Sequence, residues 1–261
     1  MKDPILRGLR VSGGLALAAC VFAFVTPASA QSTVFRTRRS ASSSWNPVLP
    51  LTFGVGVDFE HGGDQKELAV PWLVEYNFTQ WVRVTAEWGV KFVNSTDPEI
   101  GHAKGLEDLE TGVDFEFLHE RRYTPSLTLV GLIKWPTATD EDVGDPGTDY
   151  SVGFTAAKDC VYFELESNLL YTYASDPELP NLMELAIAST YPLNYKWELQ
   201  LEGAFTFGVS GANRSDGDES EGTFGFSWQI TPFQSLESGV LYKDDGAWGV
   251  SVGWEYSFGG E

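Results

Sequence analysis

The chain has 261 residues and is strongly acidic, with 37 Asp and Glu residues, 17 Lys and Arg residues and a formal net charge of −20 at pH 7. This balance excludes a nucleic-acid-binding protein, because no basic stripe is available to displace counterions from phosphates. An acidic surplus by itself mainly keeps a protein in solution.

The first residues have the pattern of an export signal. Three basic residues within the first ten positions precede an apolar stretch from Leu15 to Val25, and Ala28-Ser29-Ala30 fits a signal-peptidase site. We therefore predict a signal peptide over residues 1–30 that is cleaved after Ala30. A lipoprotein signal is the alternative, because Leu17-Ala18-Ala19-Cys20 resembles a lipoprotein box. Cleavage leaves Cys160 as the one cysteine, which excludes an internal disulfide.

Residues 31–48 form a polar, basic segment that is too short to fold as a plug domain. We predict a periplasmic N-terminal linker here. As an alternative, its arginines can reach into an acidic lumen.

From Leu51 onward, twelve runs alternate between apolar and polar residues with a period of two, as β-strands do. A membrane-spanning β-strand needs about 9–11 residues, and most of the runs have this length. Three of them, 150–156, 224–230 and 236–242, are short, so we expect their true ends to lie further out. The runs are 51–60, 68–77, 82–92, 109–117, 127–135, 150–156, 161–173, 183–191, 197–209, 224–230, 236–242 and 248–258. Pro71 interrupts the second run, where we expect a bulge.

The charges separate cleanly between the two phases of these runs. The apolar phase, which in the first run is Leu51, Phe53, Val55, Val57 and Phe59, contains no charged residue in any run, and the opposite phase carries every charge. A soluble β-sandwich tolerates charges at its rims, whereas a lipid-facing surface does not. Aromatic residues also gather near both ends of the runs, as at two membrane interfaces.

The connections alternate in length as they do in a membrane barrel. Counted from a periplasmic N-terminus, the predicted outer loops are 61–67, 93–108, 136–149, 174–182, 210–223 and 243–247. The predicted inner turns are 78–81, 118–126, 157–160, 192–196 and 231–235. We therefore predict an all-β fold over residues 49–261: a transmembrane, antiparallel, up-and-down β-barrel of about 12 strands in the outer membrane, with short periplasmic turns and longer outer loops.

Two stretches resemble a known family. Lys134-Trp135-Pro136-Thr137 is followed by Asp145-Pro146-Gly147-Thr148-Asp149-Tyr150, and Tyr76-Asn77-Phe78-Thr79 lies at a predicted turn. These motifs resemble the outer-membrane β-barrels labelled putative transporters of the phenol meta-degradation pathway. Ala138 and Asn77 stand where that family usually has glycine. The resemblance implies an outer-membrane barrel that transports a solute.

The final run ends in aromatic residues, closing at Phe258. It resembles the last strand by which outer-membrane barrels are recognised during assembly. The expected partners are therefore the barrel-assembly machinery, the lipid bilayer with its lipopolysaccharide, and a small-molecule solute.

Histidines and acidic loops offer little catalytic chemistry. His61 and His102 fall in predicted outer loops and His119 at an inner turn, so no histidine lies on the inward phase of a strand. We predict no enzyme and no cofactor. The alternative is a lipid-modifying barrel in which His61 or His102 meets a loop serine. Residues 216–221 resemble a calcium loop, but Glu221 occupies the position that requires glycine, so we predict no metal site.

The charged phase of the strands is the candidate functional surface. Arg83 and Lys91 are expected to pair with acids on neighbouring strands, such as Glu75 and Asp114. The surplus of carboxylates would favour cations and repel anions. The predicted lumen-lining residues are Glu75, Arg83, Glu87, Lys91, Glu110, Asp114, Glu116, Lys134, Glu164, Glu166, Glu184, Glu198 and Glu202.

Together these features predict an outer-membrane channel for passive transport of small solutes, with aromatic or hydrophobic and cationic compounds as the candidate classes. About eight strands give a lumen that side chains fill and 16–18 an open channel, so twelve strands predict a narrow passage. The alternative is a closed barrel without a pore that serves as a structural element or as a surface for interaction.

Overall fold

A computed structural model describes most of the chain that follows the predicted linker. The predicted signal peptide over residues 1–30 and the linker over residues 31–48 lie outside the described residues. Within the described residues, no helix is long and apolar enough to cross a membrane. The structure describes residues 50–63, 65–96, 101–140, 142–176, 179–210 and 218–259.

The described chain consists of antiparallel strands joined by loops and turns. The strands are β1 (Leu51–Gly62), β2 (Gln65–Asn77), β3 (Val82–Ser95), β4 (His102–Leu106), β5 (Leu109–Leu118), β6 (Ser126–Trp135), β7 (Asp149–Asp159), β8 (Glu164–Tyr173), β9 (Asn181–Pro192), β10 (Trp197–Ser210), β11 (Glu219–Thr231), β12 (Gln234–Lys243) and β13 (Trp248–Phe258).

The strands close into a ring in which each strand pairs with its neighbours in sequence. The ring is completed by β13, which pairs with β1 from Leu51 opposite Phe258 to His61 opposite Trp248. Both β4 and β5 pair with β3, so together they occupy one position in the ring. The result is a closed, antiparallel, 12-strand β-barrel, which confirms the predicted fold class. Closure leaves no strand edge unpaired in lipid.

A β-bulge separates β4 from β5. Leu106 lies opposite Val90, but Glu110 lies opposite Glu87, so the register shifts by one residue across Glu107 and Asp108. The Glu107 N–H donates to the carbonyl oxygen of Gly89 at 3.0 Å and keeps the ladder continuous. The prediction that 93–108 is entirely loop is therefore wrong. Acidic residues and glycine interrupt the alternation of apolar and polar residues here, so the sequence pattern does not show β4.

The two faces of the barrel have opposite character. Outward residues are apolar and exposed, such as Val113 at 52% and Phe154 at 54%. Inward residues are polar and buried, such as Asp114 at 3% and Thr155 at 2%. A soluble β-sandwich would have the reverse arrangement, so the phase read from the sequence is confirmed. An apolar exterior around a charged interior is the arrangement of a transmembrane barrel.

The predicted ends of several strands need correction. The three short runs extend further, as expected, and the strands containing them are β7, β11 and β12. Because β11 begins at Glu219, the end of the predicted loop 210–223 is strand. The turn predicted at 157–160 lies instead between β7 and β8, at 160–163.

Pro71 does not introduce a bulge. It lies opposite Gly89, and the register between β2 and β3 continues unchanged on both sides. The ladder between β2 and β1 omits the pairs of Pro71 and Val70 and resumes in the same register at Ala69. The missing N–H of proline therefore costs a local gap in one ladder and no shift.

In the following sections, the loop end of the barrel is the end with the connections after β1, β3, β6, β8, β10 and β12. The turn end is the opposite one, where Leu51 and Phe258 also lie.

Candidate functional site in the barrel interior

The predicted lumen-lining residues occupy inward positions of the barrel wall, as the register of the strands shows. Their role in transport stays a prediction. They are Glu75 on β2; Arg83, Glu87 and Lys91 on β3; Glu110, Asp114 and Glu116 on β5; Lys134 on β6; Glu164 and Glu166 on β8; Glu184 on β9; and Glu198 and Glu202 on β10.

Arg83 is the most buried charged residue among them, with 2% of its surface exposed. Its Nε and Nη2 both donate to Asp114 Oδ2, at 2.9 and 2.7 Å. Its Nη1 lies 3.7 Å from Glu75 Oε1. The three side chains project inward from three adjacent strands. Arg83 on β3 lies opposite Asp114 on β5, and Glu75 lies on β2, on the other side of β3. This pairing agrees with the expectation from the sequence.

The other inward cations sit closer to the loop end. Lys91 Nζ lies 2.5 Å from Glu67 Oε2. The expected partner is an acid on a neighbouring strand, with Glu75 and Asp114 as examples. Lys134 lies 2.5 Å from both Asp145 and Asp149. Each cation thus has a carboxylate partner, as a low-dielectric interior demands.

Sequence reasoning missed one further cluster. Lys243 Nζ lies 2.6 Å from Glu60 Oε1 and 3.7 Å from Glu219 Oε1, and Lys243 is 2% exposed. Lys243 and Glu219 fall in predicted loops, because the predicted runs end at Tyr242 and begin at Phe224. The signal that could have found them is the inward phase, which continues unbroken into Lys243 and Glu219.

In one sector of the inner wall, every charged side chain is a carboxylate. On β8 to β11, all of which are described along their length, the inward positions hold no Lys and no Arg. The inward cations lie on β3, β6 and β12. We call this sector the acidic wall, and its acids are Glu164, Glu166, Glu184, Glu198, Glu202, Glu219 and Glu221.

The inner face is little exposed on β3, β12 and β13, whereas on β8 to β10 most inward residues are half-buried and Glu198 is exposed. Arg83 on β3 is 2% exposed, Glu237 on β12 is 5% and Glu255 on β13 is 6%. Side chains of a wide aqueous pore would be accessible to water. Side chains therefore fill the interior beside β3, β12 and β13, while the side of β8 to β10 is more open, an arrangement between the filled eight-stranded and the open 16-stranded barrels.

Two of the histidines have side-chain contacts in the described chain. His61 Nδ1 donates to the carbonyl oxygen of Gln65 at 3.3 Å. His119 Nδ1 lies 2.5 Å from Glu116 Oε1, and its ring stacks on Trp81 with centroids 3.7 Å apart. The prediction that His61 and His102 lie in loops is wrong, because His61 lies in β1 and His102 in β4. None of these contacts joins a histidine to a serine hydroxyl. Within the described ranges, no group of three His, Cys, Asp or Glu residues is placed to hold a metal ion.

The closed ring, the apolar exterior and the charged interior define the class of this protein as a 12-stranded transmembrane β-barrel. Solved barrels share its fold. No family model matches the sequence, and no curated protein matches it.

The structural similarity covers most of this chain and nearly the whole of each solved chain. The COG4313 outer membrane channel from Pseudomonas putida F1 superposes with a TM-score of 0.65 at 12% identity, covering 82% of this chain and 98% of that one. The KdgM porin in complex with disordered oligogalacturonate gives 0.59 at 11% identity, covering 79% and 99%. The translocator domain of the autotransporter NalP from Neisseria meningitidis gives 0.54 at 11% identity, covering 86% and 95%. Because these proteins include both channels and a translocator, the similarity establishes the fold.

Proposed function

We propose that the protein is a narrow, passive outer-membrane channel for small solutes, with a preference for cations. The observation that carries the proposal is the acidic wall, whose inward charges are all carboxylates. The structural similarity to an outer membrane channel and to a porin supports it. No energy source is available in the outer membrane, so movement is downhill diffusion.

The preference for cations follows from electrostatics in a confined passage. A ring of carboxylates attracts cations and repels anions, and the narrow lumen strengthens each interaction because little water screens it. Lys243 pairs with one acid of the wall, Glu219, at 3.7 Å. The wall keeps a net negative charge, because its seven acids alone outnumber the four inward cations of the described strands, which are Arg83, Lys91, Lys134 and Lys243. A polyanion such as oligogalacturonate, which is named with the KdgM porin, would be repelled here.

We further infer the finer points that the sequence suggested. Small aromatic or hydrophobic compounds join cations as candidate solutes, because the motifs around Lys134 and Asp149 resemble the phenol meta-degradation barrels. The strand that ends at Phe258 is the proposed signal for the assembly machinery. The exposed apolar exterior is the proposed contact with the bilayer and its lipopolysaccharide.

Ion conductance of the refolded protein in a planar bilayer tests the proposal. We expect small, steady single-channel openings with a cation-to-anion permeability ratio above one. The double substitution Glu184→Gln and Glu202→Gln removes two charges from the acidic wall and should lower that ratio. The matched control is Glu120→Gln, because Glu120 lies in the turn after β5, where it pairs with Lys158 at the end of β7. An anion-selective channel would contradict the proposal.

A closed barrel is the second candidate function, and the low exposure of Arg83 and Glu237 favours it. Such a barrel would fold, resist heat in detergent and conduct nothing. A folded, silent protein would therefore replace the channel with a structural role in the outer membrane.

A further inference from the structure

The connection between β6 and β7 follows the inner side of the barrel wall at the loop end in its described residues, 136–140 and 142–148. We call it the long loop. Its first residues run beside β4, where Thr139 N–H donates to the carbonyl oxygen of Leu106 at 3.2 Å and Thr139 Oγ1 accepts from Leu106 N–H at 2.9 Å. Thr137 Oγ1 accepts from Leu109 N–H at 2.8 Å. The loop is thus bonded to both sides of the β-bulge.

The long loop lies inside the ring. Val143 is only 9% exposed and packs in one buried cluster with Val93 and Ala103, which are inward residues of β3 and β4. Gly105 is the next inward residue of β4, and a Cβ atom there would lie 2.5 Å from Thr139 Oγ1. A glycine at this position therefore lets the loop approach the inner wall closely.

Asp108, at the bulge, fixes both arms of the long loop. Its Oδ1 accepts the N–H groups of Thr137 and Ala138, each at 2.9 Å, and its Oδ2 accepts the N–H of Asp145 at 3.0 Å. A carboxylate that accepts several backbone N–H groups makes strong, charge-assisted hydrogen bonds. The extra residue of the bulge therefore brings Asp108 into a position from which it accepts these three N–H groups.

Lys134 closes the base of the same loop. It lies at the end of β6 and bridges Asp145, near the end of the loop, to Asp149, the first residue of β7. These residues belong to the motifs that resemble the phenol meta-degradation family. Their role in this structure is to fold the loop back on itself.

We propose that the long loop is the constriction at the loop-end mouth and sets its charge preference, with Asp108 as the residue that positions it. This proposal rests on the proposed channel function. Asp142 in the loop is exposed, and Asp140 beside it is half-buried. A solute entering from the loop end passes these carboxylates before it reaches the acidic wall.

Cysteine labelling tests the position of the loop without any need for conduction. In a Cys160→Ser background, Val143→Cys should react slowly with a maleimide, because Val143 is buried against Val93. Adding Asp108→Ala should raise the labelling rate about ten-fold or more, since three hydrogen bonds to a charged acceptor are lost. Asp159→Ala is the matched control, because Asp159 accepts the N–H of Val161 in a turn at the other end. Equal labelling with Asp108→Ala and Asp159→Ala would overturn the proposal.

Conductance tests the role of the loop in selectivity. Asp108→Ala should increase single-channel conductance, because the constriction is released. Asp142→Asn should lower the cation preference with little change in conductance, which a merely structural residue would not do. A conducting parent with unchanged Asp108→Ala and Asp142→Asn variants would overturn the role of the loop alone. A silent parent would overturn the proposed channel function and, with it, this role.

Discussion

Replacing Arg83 by methionine should destabilise the barrel strongly. Methionine keeps much of the length of the side chain but removes the guanidinium that bonds Asp114 Oδ2 at 2.9 and 2.7 Å. Asp114 is 3% exposed, and Glu75 lies in the same cluster. The variant therefore leaves the buried Asp114 carboxylate, and the half-buried Glu75 beside it, without their nearest positive charge.

The expected magnitude follows from burial. Removing one partner of a buried ion pair costs about 3–5 kcal/mol, most of it from the charge that is left behind. If this is the cause, Asp114→Asn in the Arg83→Met background should recover part of the loss, because it removes that charge. The coupling energy between the two sites should then be about 1–3 kcal/mol, as found for residues in one network.

Urea unfolding of the refolded protein in lipid vesicles, followed by tryptophan fluorescence, measures these free energies. Lys158→Met is the matched control, because Lys158 pairs with Glu120 at the exposed turn end. An exposed pair contributes about 1 kcal/mol or less. The reasoning is refuted if Arg83→Met costs no more than Lys158→Met, or if Asp114→Asn adds to the loss in full.

Two further variants test the barrel wall itself. Val113→Arg places a charge on an outward residue in the middle of β5 that is 52% exposed, so it should lower the free energy of unfolding by about 2–4 kcal/mol in the urea assay. The control Val161→Arg lies in the exposed turn and should change that free energy hardly at all. Equal losses would argue against a lipid-facing surface at Val113. Gly153→Ala would place its Cβ 2.2 Å from the carbonyl oxygen of Leu169, so we expect a loss of about 1–3 kcal/mol from overpacking, whereas Gly131→Ala meets its nearest atom at 3.9 Å and should be tolerated. A fully stable Gly153→Ala barrel would contradict the close packing of β7 against β8.

The general plan of the barrel could be predicted because lipid imposes one rule on every strand. A charge cannot face hydrocarbon at low cost, so the phase of each run shows which side chains point inward. Neighbouring strands in the sequence pair with each other, and this makes the contact of Arg83 with Glu75 predictable. The same rule predicts the inward phase of residues such as Glu184, whose role in transport stays a prediction.

The features that were missed depend on interruptions of the alternation. The strand β4 was hidden because the bulge at Glu107 and Asp108 changes the phase within one barrel strand. The cluster around Lys243 was missed because polar residues at strand ends look the same as loop residues. The position of the long loop depends on Asp108 accepting hydrogen bonds from residues about 30 positions later, and no local pattern in the sequence reports such contacts.

The seam between β1 and β13 has a consequence for how the barrel forms. Every other ladder joins strands that follow one another in the ring and in the chain, so each hairpin can form from local contacts. Closing the seam brings Leu51 next to Phe258, which is a contact between the two ends of the barrel sequence. Contacts of such high sequence separation are slow to form. Until they do, β1 and β13 present unpaired backbone groups that hydrocarbon does not tolerate. We therefore expect closure of this seam to be the slowest step of folding, and a chain that lacks β13 would leave the edges of β1 and β12 unpaired.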